Sequence, residues 1–253
     1  MRNLLSSLVF LTVFMVSPVV LAQESGEEKV ELSPDIKLRS LTQGVWLYQA
    51  SAILPGYDEP VSANGLILVS GPSAMLIDLP WNDEQTRIIA EWIASSHQAK
   101  VEFVVPTHHH QDCAGGLAAA HDLGADSWAL HKTTVKLYDA GSVIPKNSFS
   151  NEKVLDCGAL TVELFYPGTG HTDDNIVAWI PDRKVLFGGC LIRSAGAANL
   201  GNIEEADLEA YPETLEKIED RYEAAEIVVP GHGEPGGKEL IKHTSDLSKK
   251  QKR

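Results

Sequence analysis

The segment Thr107-His108-His109-His110-Gln111-Asp112-Cys113-Ala114-Gly115-Gly116 carries three metal-ligand side chains, His108, His110 and Asp112, at spacings of two. In extended backbone, residues i and i+2 share a face. The two imidazoles can therefore converge on one cation while the carboxylate reaches a neighbouring position, and His109 is expected to face the other way. Gly115 and Gly116 are expected to let the chain turn tightly into a helix. Three later segments each set one further donor in a Gly-rich turn beside a strand: Gly168-Thr169-Gly170-His171-Thr172-Asp173-Asp174-Asn175, Gly188-Gly189-Cys190 and Pro230-Gly231-His232-Gly233. A histidine triplet alone can be a solvated loop. Six candidate donors at strand ends form a cluster, on the kind of irregular backbone where catalytic groups tend to be mounted.

The elements that must position these residues follow from apolar periodicity. Short β-type runs at Val45–Tyr48, Leu66–Val69 and Met75–Asp78 predict an antiparallel opening. Asn82, with Gln85 three residues on, offers an N-cap for a helix whose Ile88, Ile89, Trp92 and Ile93 share one face and which ends near His97. Val101–Val105 reads as a buried strand. A helix near Leu117–Leu123 follows, then strands at Val154–Cys157, Leu160–Tyr166, Ile176–Ile180 and Val185–Phe187. A helix over Leu208–Tyr222, a strand at Ile227–Val229 and a helix over Gly237–Leu247 complete the chain. Two groups of strands, each followed by helices, predict an α/β protein: two mixed β-sheets packed together with helices on the outer faces. Residues 37–253 are expected to form a single domain.

The 253 residues carry 21 Lys+Arg against 35 Asp+Glu, a formal charge of −14. That field repels phosphate backbones and speaks against nucleic acid as a partner. Arg2 followed by the apolar run Leu4–Val20, closing on Val20-Leu21-Ala22, has the form of a signal peptide over residues 1–22, with residues 23–36 an acidic linker. The alternative is an uncleaved anchor. Cleavage after Ala22 would place the protein in a periplasm-like compartment with no stable membrane association. Cys113, Cys157 and Cys190 are odd in number, so they cannot all pair within one chain, and a Cys113–Cys157 bridge stays open.

Together these motifs make the sequence, from about Val45 to Leu247, resemble the metallo-β-lactamases of the subclass with one cysteine ligand, B1. His-x-His-x-Asp, the Gly-His-Thr turn, Gly-Gly-Cys and Pro-Gly-His occur in the family's order, and Cys113 after Asp112 disfavours the thioesterase and nuclease branches, which typically carry His there. The resemblance implies an αββα sandwich, the metallo-β-lactamase fold, with two Zn2+ per chain. One zinc would lie on His108, His110 and His171, the other on Asp112, Cys190 and His232. Three neutral imidazoles leave an open, charged zinc whose water ionises near neutral pH, while thiolate and carboxylate make the second site nearly neutral. Metal binding also lowers the Cys190 thiol pKa, favouring ligation over a disulfide.

The same resemblance gives Asp112 the orienting of the attacking hydroxide. Arg193, where the family commonly has Lys, would bind the substrate carboxylate, and Asn202 the lactam carbonyl. Ala52–Asn64, with Ile53, Leu54 and Tyr57, would be a hairpin over the substrate. Trp81 would be a pocket wall, and Asp78 a support beneath the metals. The alternatives are a solvated loop arginine for Arg193, a plain turn role for Asn202, and ordinary packing for Trp81, Ile53, Leu54 and Tyr57. The activity implied is hydrolysis of β-lactams (penicillins, cephalosporins, carbapenems) by a secreted monomer, conferring antibiotic resistance. A lactone or thioester hydrolase on the same scaffold is the rival enzyme reading, and purely structural zinc the non-enzyme one. Ser150-Asn151-Glu152-Lys153 fits Ser-x-x-Lys, but no companion serine-hydrolase element accompanies it.

Overall fold

A computed structural model describes residues 28–251; the expected signal peptide lies outside these described residues. Strands β1 (Lys29–Ser33), β2 (Ile36–Thr42), β3 (Val45–Ala52), β4 (Val61–Ser70) and β5 (Ser73–Ile77) pair antiparallel in chain order; β3 to β5 answer to the three predicted runs, whereas β1 and β2 precede them and were not predicted. β1 is a correction to the sequence reading, which placed residues 23–36 in a linker. Val30 and Leu32 pack beneath the sheet, and the strand pairs with β2 from Lys29 opposite Arg39.

Helix α1 (Asp83–His97) follows, capped as expected by the Asn82 side chain, which accepts from the Gln85 N–H. The Gln85 side chain does not return to the cap. It donates instead to Asp35 and to the Ser51 carbonyl, tying the helix to the first hairpin. β6 (Lys100–Val105) lies parallel to β5, and the short helices α2 (Gln111–Ala114) and α3 (Leu117–Asp122) carry the chain away from it. The next stretch holds three elements that periodicity did not reveal: β7 (Asp126–Leu130), α4 (His131–Asp139) and the three-residue β8 (Asn147–Phe149). They extend the sheet in parallel register to eight strands in chain order.

The second sheet comprises β9 (Glu152–Cys157), β10 (Leu160–Phe165), β11 (Val177–Ile180), β12 (Val185–Gly189) and β13 (Ile227–Pro230), with only β12 and β13 parallel. Helices α5 (Tyr211–Arg221) and α6 (Glu239–Gln251) cover it. α5 begins three residues later than predicted, because the Asp207 carboxylate accepts from the Glu209 and Ala210 N–H groups and holds that stretch as a turn.

Alternation along the strands explains the layering. Leu66 and Leu68 on β4, Met75 and Ile77 on β5, and Ala178 and Ile180 on β11 point between the sheets. Ile67 and Leu76 face α1 and α3, while Val177, Trp179 and Leu186 face α5 and α6. A period of two puts every other residue on each face, so strands buried on both sides yield three apolar layers. Both sheets end their strands at one rim, and the candidate donors stand there.

Candidate metal centre

Each donor is delivered by a strand end that is pinned to its neighbour. Asp78 directly follows β5 in the left-handed region, φ +59°, which an Asp side chain tolerates. Its carboxylate accepts from the Thr107 N–H (2.6 Å) and hydroxyl (3.0 Å), and its own N–H donates to the Val105 carbonyl. The start of the histidine loop is thus fixed from below.

His108 Nε2 and His110 Nδ1 lie 3.0 Å apart. The His171 ring is centred 5.0 and 5.2 Å from theirs, and the three donor nitrogens fall within 4.8 Å of one another. His171 comes from the turn between β10 and β11, where the Asn175 side chain accepts from the Thr172 N–H and donates to the Gly168 carbonyl. His109 faces away, as expected, between Asp174 and Glu205 at 3.1 and 3.2 Å.

Asp112, Cys190 and His232 form a second, adjoining triangle. Cys190 Sγ lies 3.3 Å from Asp112 Oδ2 and 3.4 Å from His232 Nε2, which is itself 3.1 Å from Asp112 Oδ2. His232 Nδ1 donates to the Ser62 carbonyl at 2.7 Å, so Nε2 is the nitrogen turned to the cluster. Gly231 has no tolerable alternative, since a Cβ there would stand 2.5 Å from Cys190 Sγ.

The donors suit metal ions. Burial pushes the His108 imidazole down to about 4 and His171 well below its ordinary value. Both are therefore neutral lone-pair donors at pH 7, and such nitrogens crowd together in a way that a shared cation explains. Burial alone would raise the Asp112 carboxyl, but the hydrogen bond from His232 and the nearby imidazoles hold it well below its usual range, ionised. The Cys190 thiol is lowered by the neighbouring Cys113 thiol together with the His232 charge, against its burial.

A cleft of about 670 Å³ opens over both sets, and Tyr57, Trp81, Arg193 and Asn202 line it. Trp81 is also buried, its Nε1 donating to the Ala50 carbonyl, so wall and packing roles coincide. The Arg193 guanidinium lies over Gly201, where a Cβ would come within 2.9 Å of it. Asn202 is exposed and uses its Oδ1 to accept from the Glu204 N–H. Tyr57 is 61% exposed at the tip of a loop that spans only residues 53–60, shorter than the hairpin expected over Ala52–Asn64, because β4 already begins at Val61.

The "Metallo-beta-lactamase superfamily" family model matches residues 59–232. The chain belongs to that family. It is 38% identical over 240 residues to the metallo-beta-lactamase type 2 of Bacteroides fragilis, covering 94% of each chain. The crystal structure of the DIM-1 metallo-beta-lactamase superposes with a TM-score of 0.82 at 32% identity, over 86% of this chain and 98% of that one. The metallo-beta-lactamase from Pontibacter korlensis gives 0.81 at 33%, over 85% and 99%. The resemblance to the B1 subclass and the αββα architecture are thereby borne out.

Within this metallo-β-lactamase framework Asp78 stands beneath the histidine loop as expected, but other supporting residues escaped the sequence reading. Asn64 donates to the Pro230 and Gly233 carbonyls at 2.8 and 2.7 Å, clamping the His232 loop. The buried Asp174 accepts from the His109 N–H, while Glu205 sits 3.3 Å from His110 Nε2 and accepts from Lys136 at 2.7 Å. Asp174 stood inside the quoted Gly168–Asn175 turn; nothing local marked Asn64 or Glu205. Gly115 and Gly116 also serve differently from the expected tight turn. Their φ angles, −62° and −98°, are open to any residue. A Cβ at either would instead meet the Trp81 carbonyl at 2.3 Å or the Thr86 hydroxyl at 1.8 Å. All three cysteines are free, with Cys157 set against the Leu68 carbonyl and Cys113 donating to Asp78.

Proposed function

We propose that this chain is an exported, monomeric di-zinc hydrolase that opens the amide bond of β-lactams, penicillins, cephalosporins and carbapenems included. Supporting this is one observation above all: two adjoining donor sets, three imidazoles and an Asp–Cys–His triangle, open onto one cleft whose rim carries a single guanidinium. His108, His110 and His171 would hold one zinc, and Asp112, Cys190 and His232 the other. When bound, such a pair supplies Lewis acidity and a water that ionises near neutral pH.

The chain's own residues supply the rest. Arg193 receives the substrate carboxylate as a charge-assisted pair, and its fork can match both oxygens. The Asn202 amide donates to the lactam carbonyl, placing the scissile carbon over the donor sets. Asp112 Oδ2, one corner of the second triangle, accepts a hydrogen bond from the attacking water and orients it. Trp81 and Tyr57 wall the cleft with apolar surface and limit competing water. The Ser150–Lys153 motif does not serve the cleft, since Lys153 Nζ stacks 4.1 Å over the Trp128 ring and neither residue lines it. Export is supported by Arg2, the apolar run and the small-residue closure at Ala22.

The test is hydrolysis of a chromogenic cephalosporin and of a carbapenem by purified protein, before and after chelation, with metal counted per chain and the N-terminus sequenced. Turnover that vanishes with chelator and returns with about two zincs per chain is expected, on protein beginning at Gln23. Full zinc with no lactam turnover would overturn the reading.

A further inference from the structure

One buried group of metal-binding chemistry, Cys113, belongs to neither donor set. Its Sγ shares a small volume with a His108 nitrogen, an Asp112 oxygen and Cys190 Sγ, all four within 4.8 Å of one another. In that order from His108, the residues are 1%, 8%, 1% and 4% exposed (His108, Asp112, Cys113, Cys190). We propose that this quartet is an alternative metal site on the inner wall of the cleft, selective for thiophilic d10 cations such as Cd2+. The inference rests on reading Asp112 and Cys190 as metal ligands.

Donor chemistry separates the two modes. The Asp112–Cys190–His232 triangle offers one sulfur and leaves an open position, whereas the quartet offers two sulfurs, a nitrogen and an oxygen. Two thiolates favour soft cations, and four protein ligands close a tetrahedral site of the structural kind. A cation already on Asp112 and Cys190, which line the cleft, needs only to exchange His232, whose side chain is 26% exposed, for the buried Cys113 and His108.

The support beneath tolerates the exchange. Cys113 now donates to Asp78 Oδ2 at 3.1 Å; on ligation its proton passes to solvent, and Asp78 keeps both hydrogen bonds from Thr107. The quartet takes His108 from one proposed zinc set and Asp112 and Cys190 from the other. A cation held there therefore excludes both zincs and presents no open position to substrate. The same fold would carry a built-in site for poisoning by soft metals.

The experiment is a Cd2+ titration of the metal-free full chain, reading sulfur-to-cadmium charge-transfer absorbance per bound ion without substrate. Cys113→Ser is expected to lose about half of the native intensity, one thiolate remaining of two, while His232→Ala changes it little. Intensity unchanged in Cys113→Ser would leave Cys190 as the only sulfur on the ion, put it in the Asp112–Cys190–His232 triangle and overturn the inference alone. No band in the native protein would overturn the ligand reading as well. Cys113→Ala serves as a second variant. β-Lactam turnover of zinc-loaded Cys113→Ser checks folding independently and is expected to resist added Cd2+ better than the native enzyme; equal sensitivity counts against the quartet.

Discussion

His232 and Asn202 line the same cleft but are held in different ways. Behind His232 stand the Ser62 carbonyl and the Asn64 clamp on both sides of its loop. Behind Asn202 stands a single local turn bond to Glu204. The contrast runs through the whole site: His108 rests on the Asp78–Thr107 link and His109 on Asp174, whereas Tyr57 projects into solvent. The candidate donors are held by the ends of two sheets, while Tyr57 and Asn202 ride on exposed loops. The division is bridged at one point, since Glu205, three residues past Asn202, stands 3.2 Å from His109 Nε2 and 3.3 Å from His110 Nε2.

This division can be broken experimentally. Replacing a donor is expected to do the most damage: Asp112→Asn should lower kcat/KM by more than about 100-fold, beyond the range of supporting residues. Near-native turnover would remove Asp112 from the centre. Supporting residues come next. Asn64→Ala and Asp174→Asn are expected to weaken zinc by about 10–100-fold, measured by competition with a chromophoric chelator, with turnover largely restored at saturating zinc. Unchanged affinity would mean that the donors hold their places unaided.

The rim should respond in KM. Arg193→Ala is expected to raise KM for carboxylate-bearing lactams by about tenfold with kcat little changed, the pattern of uniform binding loss. An equal effect on neutral esters would break the carboxylate assignment and favour the lactone or thioester reading. Tyr57→Ala should shift KM by only about twofold and leave Tm unmoved, as for an exposed surface change.

The smallest expected effect sharpens the comparison from outside the site. Burial pushes the Cys157 thiol up to about 12, so it stays protonated and inert to alkylation at pH 8 in the folded protein. With the folded value above the unfolded one, its contribution to stability is full below about pH 9 and falls as pH rises toward 12. Alkylation of Cys157 in native protein, read by mass spectrometry of its peptide, would contradict that burial.

Legibility in the sequence followed locality. All six candidate donors that the structure brings together were readable, because His-x-His-x-Asp and three Gly-rich turns are short-range patterns with a chemical meaning. The strands of the second sheet and α1 were readable from periods of 2 and 3.6. The stretch from Asp126 to Phe149 was not. β8 is three residues long, and β7 alternates only over five, so neither carries a full period of signal. Glu205, 95 residues from His110, gives no local sign of the contact they make.

By itself, then, the sequence determined the donor types, their order and the alternation that builds two sheets, since ligand chemistry and strand periodicity are properties of neighbouring residues. Only the tertiary structure decided that β6, β12 and β13 end at one rim, that Asn64 and Asp78 pin those ends, and that Cys113 stands beside Cys190. Such contacts depend on sheet packing and register, which join residues as far apart in the chain as Ser62 and His232, 170 positions.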